Sequence, residues 1–233
     1  KGLLLAATAR KTSLNEFFKH EIGVLSRQTC LRSYYFDINP QQLCAETHDT
    51  APGMKQSTAL AVLQSGSNVF LTGQAGAGKT YVLRQYIAYL RARQVAVAVT
   101  ASTGIAATHM GGQTLHAWSG MGIRESLEQH DLERMAKNAK LVKALKTVQV
   151  LVIDEISMLH ARQFAMLDEL LRHFRKSSQA FGGVQLLLCG DFFQLPPVGP
   201  RGQASREKFV FMSPAWLAAN LRIAYLHEQH RQN

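Results

Sequence analysis

Asn68–Thr80 reads NVFLTGQAGAGKT, and the order of residue types in this stretch decides the fold. Asn68–Thr72 is a short apolar run of the buried-strand kind. Gly73–Thr80 (GQAGAGKT) is a complete G-x-x-x-x-G-K-[ST] match, and Tyr81–Arg91 continues with amphipathic helical spacing. Strand, glycine-rich turn and helix, in that order, form the setting in which this motif holds phosphate. Gly76 and Gly78 allow backbone N–H groups around Ala77 to converge on phosphate oxygens with no Cβ in the way. The helix start adds its partial positive charge. Lys79 then reaches the β- and γ-phosphates of a nucleotide, and the Thr80 hydroxyl is placed to ligate Mg²⁺.

The same kind of short apolar run recurs outward from this motif, at Val95–Thr100, Val148–Ile153, Val184–Cys189 and Leu221–Leu226. Helical spacing lies between most of them, over Leu127–Leu145 and Ala161–Phe174, with a further short helix at Gln56–Leu63 ahead of the motif. Continuous rather than alternating apolar strands are those of a sheet buried on both faces. The expected fold is an α/β domain: a mostly parallel sheet with helices on both sides, of the P-loop NTPase kind. On the Leu127–Leu145 segment, Lys137, Lys140 and Lys143 fall on roughly one helical face. A composition shift at Ala51–Gly53 divides a partly helical segment of unclear role, 1–50, from the domain at 51–233.

The composition limits the partners. The 233 residues carry 26 Lys+Arg against 16 Asp+Glu, a formal charge of +10 that points toward a polyanion. No acidic residue lies between Asp49 and Glu125, whereas Lys55, Lys79, Arg84, Arg91, Arg93 and Arg124 do. Three cysteines exclude a disulfide framework and a four-cysteine zinc site. No histidine stands at metal-ligand spacing. No apolar run approaches the ~18 residues of a membrane span. An intracellular location, in cytoplasm, nucleus or mitochondrion, is expected.

A phosphate loop that binds Mg²⁺ needs a carboxylate at the end of a neighbouring strand. Val150–Glu155 (VLVIDE) supplies one: four apolar residues cross the core, then Asp154 and Glu155 appear where ligand sites of open α/β sheets lie. Asp154 is the candidate for the Mg²⁺ shell, and Glu155 for the general base that polarises the attacking water. Leu187–Pro197 (LLCGDFFQLPP) also ends a strand, and its Gln194 is placed to hydrogen-bond the γ-phosphate or that water. Asp191 fits a loop cap. Phe192 and Phe193 fit either base stacking or the core, the core being the better fit for at least one. Thr100–Ala107 (TASTGIAA) and Gly111–Trp118 (GGQTLHAW) read as strand-end loops. Their small hydroxyl residues, Ser102, Thr103 and Thr114, suit nucleic-acid phosphates. His116 and Trp118 could stack on bases, core packing being the better fit for Trp118.

This ordered set resembles the first RecA-like domain of the Pif1-family DNA helicases, superfamily 1 enzymes that move 5′ to 3′, from about Lys55 to Asn233. The resemblance implies ATP and Mg²⁺ as cofactors and single-stranded DNA as partner, with a monomer favoured. Gln56 would read adenine, TASTGIAA and GGQTLHAW would contact DNA, and Gln194 would sense the γ-phosphate. Phe211, Pro214 and Trp216 match a family F-x-x-P-x-W stretch. Glu228–Asn233 (EQHRQN) matches an arginine-bearing motif in which Arg231 would touch the γ-phosphate, with His230 standing where the family has Phe. The family also has a second RecA-like domain that closes over ATP. The 233-residue piece alone is therefore expected to bind nucleotide and DNA weakly and not to unwind. Two alternatives stay open: a P-loop ATPase of another DNA-processing class, such as a loader or recombination motor, and a non-catalytic nucleic-acid-binding module.

Overall fold

The computed structural model describes residues 54–122, 124, 126–194, 197 and 208–227. In chain order the main elements are α1 (Gln56–Gln64), β1 (Val69–Gly73), α2 (Lys79–Ala92), β2 (Val97–Ala101), α3 (Gly104–His109), β3 (Gln113–Thr114), α4 (Leu115–Ser119), α5 (Gln129–Ala136), α6 (Ala139–Thr147), β4 (Val150–Asp154), α7 (Ala161–Arg175), β5 (Gln185–Cys189), α8 (Pro214–Ala218) and β6 (Arg222–Leu226).

The strands form one sheet in the order β3-β2-β4-β5-β1-β6, and every pairing is parallel. The apolar runs account for this. A strand whose successive residues are all apolar can satisfy both faces only when both are covered, and β4 is buried along its whole length. Alternate residues supply two separate cores. Val150 and Val152 join Val69, Leu71, Leu187 and Cys189 beneath α1 and α2. Leu151 and Ile153 join Phe70, Leu186 and Leu188 beneath α7 and its neighbours. Each core helix carries the matching stripe: Val82, Leu83, Tyr86, Ile87 and Leu90 on α2, and Phe164, Leu167, Leu170, Leu171 and Phe174 on α7.

The expected helix over Leu127–Leu145 is two helices. The Asn138 backbone is extended (φ −90°, ψ 93°), and its side-chain oxygen accepts the Leu141 N–H at 3.1 Å, starting α6 afresh. Lys137 belongs to the end of α5, so the row of like charge on α6 is Lys140, Lys143 and Lys146. The stretches read as loops after β2 also differ. They fold into α3, β3 and α4, each short helix being capped by a threonine. Trp118 is buried in the α7-side core. Residues 1–50 and Arg231 lie outside the described residues.

Candidate active site

The phosphate loop joins β1 to α2. Gly76 and Gly78 adopt φ of 83° and 84°, the left-handed region in which a side chain is strained. Gly78 is also crowded: a Cβ there would lie 2.1 Å from Gln56 Nε2. Gln56, the first residue of α1, donates through that same nitrogen to the Ala77 carbonyl at 3.3 Å, so it reaches the loop itself. Lys79 Nζ donates to the Gly73 carbonyl at 2.7 Å and to that of Gln74 at 3.1 Å. Thr80, the next residue of α2, is exposed.

Asp154 ends β4. It shares the parity of Val150 and Val152, so it projects onto the face that α2 covers. The order β4-β5-β1 sets it two strand spacings from the phosphate loop, about 10 Å. Its Oδ1 accepts the Glu155 N–H at 2.9 Å, and its carboxylate also meets the buried Cys189 thiol at the end of β5. Glu155 itself has φ 53° and ψ 44°, a left-handed backbone that costs a non-glycine residue about 1–2 kcal/mol. Burial raises the Glu155 pKa, the negative charges of Asp154 and Asp191 add to the rise, and Lys79 opposes it. A carboxylate with that raised proton affinity is a better base than an exposed one.

The donor set fits Mg²⁺. Among the described residues no group of three or more His, Cys, Asp or Glu gathers to cage a metal. One strand-end carboxylate and one exposed threonine hydroxyl are what a hard cation uses when it keeps its own waters and takes phosphate oxygens.

β5 lies between Asp154 and the phosphate loop and is followed by Gly190, which donates to the Leu71 carbonyl at 3.2 Å. Beyond it, Asp191 caps the turn. Its Oδ1 accepts the Phe193 N–H at 3.0 Å, and its Oδ2 accepts Gln194 Nε2 at 3.4 Å. Gln194 is exposed and held by that carboxylate. The two phenylalanines separate. Phe192 is buried among Phe70, Phe211 and Trp216, at centroid distances of 5.1, 5.0 and 5.9 Å, while Phe193 is half exposed. Phe211 and Trp216 of the F-x-x-P-x-W stretch thus form the floor beneath the Gln194 turn.

At the β2/β3 end, Thr103 Oγ1 accepts the Ala106 N–H at 3.2 Å, and Thr114 Oγ1 accepts that of Ala117 at 3.2 Å. Each hydroxyl keeps its proton to donate outward. His116 lies half-buried on α4, two residues beyond Thr114. Ser102 differs from both threonines, because its hydroxyl donates to the Glu155 carbonyl at 2.6 Å. Arg84 of α2 donates to the His109 carbonyl at 3.0 Å, tying the phosphate-loop helix to α3. Neither connection was visible in sequence, since each joins segments far apart in the chain. Only the shared strand-end position of the motifs hinted at them.

The described residues therefore bring Gln56, Gly76–Thr80, Asp154, Glu155 and Gln194 to one end of the sheet, with Ser102, Thr103, Thr114 and His116 beside them. A family model described as PIF1-like helicase matches residues 51–233. The ATP-dependent DNA helicase Pif1 of Psychrobacter sp. (strain PRwf-1) is 58% identical over 179 residues, covering 77% of this chain and 27% of that protein. The crystal structure of Pif1 helicase from Candida albicans superposes with a TM-score of 0.71 at 38% identity, over 78% of this chain and 41% of that one. Pif1 helicase from Bacteroides, in complex with ADP-AlF3 and ssDNA, superposes with a TM-score of 0.66 at 30% identity, over 79% of this chain and 44% of that one. The chain spans about a quarter of the length of the curated Psychrobacter relative. The match of the family model over residues 51–233, with 58% identity to the Psychrobacter relative, places the chain in the PIF1-like helicase family, and the parallel sheet carrying a phosphate loop after β1 and an acidic pair at the end of β4 agrees with it.

Proposed function

We propose that the intact protein is an ATP-dependent DNA helicase and that this domain carries the nucleotide site and half of the grip on one DNA strand. One observation carries the reading. The strand order sets the hydroxyl-capped β2 and β3 ends, the acidic β4 end and the phosphate loop side by side along a single edge. A generic ATPase needs the last two, but not the first.

In this reading Gln56 contacts adenine, and the N–H groups of Gly76–Thr80 hold the phosphates. Lys79 leaves the Gly73 and Gln74 carbonyls to neutralise charge on the β- and γ-phosphates. Thr80 and Asp154 would hold Mg²⁺, which when bound withdraws charge from the transferring phosphoryl group. Glu155 takes a proton from the attacking water, favoured by its raised proton affinity. Gln194 leaves Asp191 to hydrogen-bond the γ-phosphate, and Arg231 of the EQHRQN stretch would approach the same group. Loss of the γ-phosphate then alters the Gln194 turn, whose aromatic floor is continuous with the core beneath β1. One strand of DNA crosses the Ser102–Thr103 segment, Thr114 and His116 and is held mainly through its phosphates. Unwinding requires a partner domain to close against, as the resemblance implies, and so belongs to the intact protein, working inside the cell where its DNA is.

The test is ATP hydrolysis by the intact protein with and without single-stranded DNA. Hydrolysis should rise with DNA, and Lys79→Ala should abolish it. ATP turnover that ignores DNA would favour an ATPase of another class. Turnover unchanged by Lys79→Ala would remove the site altogether.

A further inference from the structure

We propose that Ser102 is a positioning residue for Glu155, and that occupancy of the Thr103 segment by DNA reaches the hydrolysis turn through it. The proposal rests on the hydrolytic, DNA-binding reading given above.

Ser102 stands between two elements with different tasks. Behind it, Ala101 ends β2 and pairs with Asp154 on one side and Thr114 on the other. Ahead of it, Thr103 caps α3. Both hydrogen-bond donors of Ser102 turn toward the end of β4. Its N–H donates to the Asp154 carbonyl at 3.1 Å, and its hydroxyl donates to the Glu155 carbonyl at 2.6 Å.

Glu155 needs such a hold. Its left-handed backbone (φ 53°, ψ 44°) does not persist in a non-glycine residue unless the surroundings impose it. Both peptide groups of Glu155 are held, the N–H by Asp154 Oδ1 at 2.9 Å and the carbonyl by the Ser102 hydroxyl at 2.6 Å together with the Met158 N–H at 3.1 Å. A rotation of either peptide re-aims the Cα–Cβ bond, and with it the carboxylate that must face the attacking water.

Proton counting separates Ser102 from its neighbours. A serine hydroxyl has one proton, and here it lies on the Glu155 carbonyl. A phosphate diester offers only acceptors, so this hydroxyl cannot also donate to DNA while it holds Glu155. Thr103 and Thr114 are arranged the other way, accepting from helix N–H groups and keeping their protons for a phosphate. The threonines are therefore the groups suited to grip, and the serine is the group suited to transmit. Ser102 and Thr103 are adjacent in the chain, so a phosphate that shifts Thr103 shifts the donor that fixes Glu155.

The experiment compares Ser102→Ala and Ser102→Thr with the wild type in the intact protein. It measures kcat and KM for ATP with and without saturating single-stranded DNA. Affinities for fluorescent ADP and for the DNA are measured separately, and thermal unfolding checks that the variants fold. Ser102→Ala should lower kcat about five- to tenfold, the effect of one lost hydrogen bond expressed in the transition state. KM, ADP affinity and DNA affinity should stay within about twofold, since their ligands are untouched. Ser102→Thr, which keeps the hydroxyl, should restore most of kcat. Unchanged kcat in Ser102→Ala overturns the proposal. So does a several-fold loss of DNA affinity with kcat intact at saturating DNA, because the hydroxyl would then serve the phosphate. If the wild type hydrolyses ATP but ignores DNA, the helicase reading fails. The basal kcat of Ser102→Ala still decides whether Ser102 holds Glu155.

Discussion

Phe192 and Phe193 are chemically identical neighbours that the fold treats in opposite ways, and removing each ring separately measures that difference. Phe192 is 6% exposed and lies among Phe70, Phe209, Phe211 and Trp216, with ring centroids 5.0–6.1 Å away. Truncating a buried phenylalanine costs about 3–5 kcal/mol, because the transfer term and the cavity term add. Tightly surrounded by four rings, this site cannot collapse easily, so about 4 kcal/mol is expected for Phe192→Ala. Phe193 is 52% exposed, and Phe193→Ala should cost about 1 kcal/mol or less. The gap of roughly 3 kcal/mol corresponds to about a hundredfold in the folding equilibrium. Chemical denaturation of the intact protein, followed by tryptophan fluorescence, reads it, because Trp216 is itself part of the cluster. Equal losses for the two variants, or a larger loss at Phe193, would refute the account of Phe192 as the anchor of the Gln194 turn.

Two further outcomes follow from the site. The base must be ionised to accept a proton, so kcat should fall as pH drops through the Glu155 pKa, which burial and its acidic neighbours raise above the ordinary carboxylate value. Asp191→Asn removes one of those negative charges, so the acid limb of the pH–kcat profile should move to lower pH, and a limb that stays in place or rises would contradict the assignment. Gly78→Ala forces a side chain into φ 84° and against Gln56, a strain of about 1–2 kcal/mol. Calorimetric titration should show ADP affinity about tenfold weaker, and an unchanged affinity would contradict the role given to the loop backbone.

Much of this was legible because buried parallel strands and phosphate loops advertise themselves in short windows. VLVIDE could be read as strand-then-acid without reference to any other segment, and the parity of Asp154 followed once β4 began at Val150. Asn138 misled for a physical reason. A single polar residue inside an amphipathic run reads as surface, and only its extended backbone reveals a cap. α3 (GIAATH) carries too few large apolar residues to show a helical stripe, so its helix depends on the Thr103 cap and on packing against β2 and β3. The left-handed Glu155 could not be anticipated, since glutamate has no preference for that region. Its hold on Ser102 joins residues 53 apart in sequence, a relation that only the β2–β4 pairing creates.

The lysine that rests on its own loop also bears on which nucleotides gain entry. Lys79 Nζ already has two acceptors, the Gly73 and Gln74 carbonyls, so an incoming ligand must outbid a pair of dipoles to claim it. A nucleoside carries no phosphate charge to compete with them, and a monophosphate carries the least of the nucleotides. A triphosphate offers several negative oxygens at once. Under the proposed function the closed contact would therefore act as a threshold on the charge a ligand brings, set by the backbone of the loop itself.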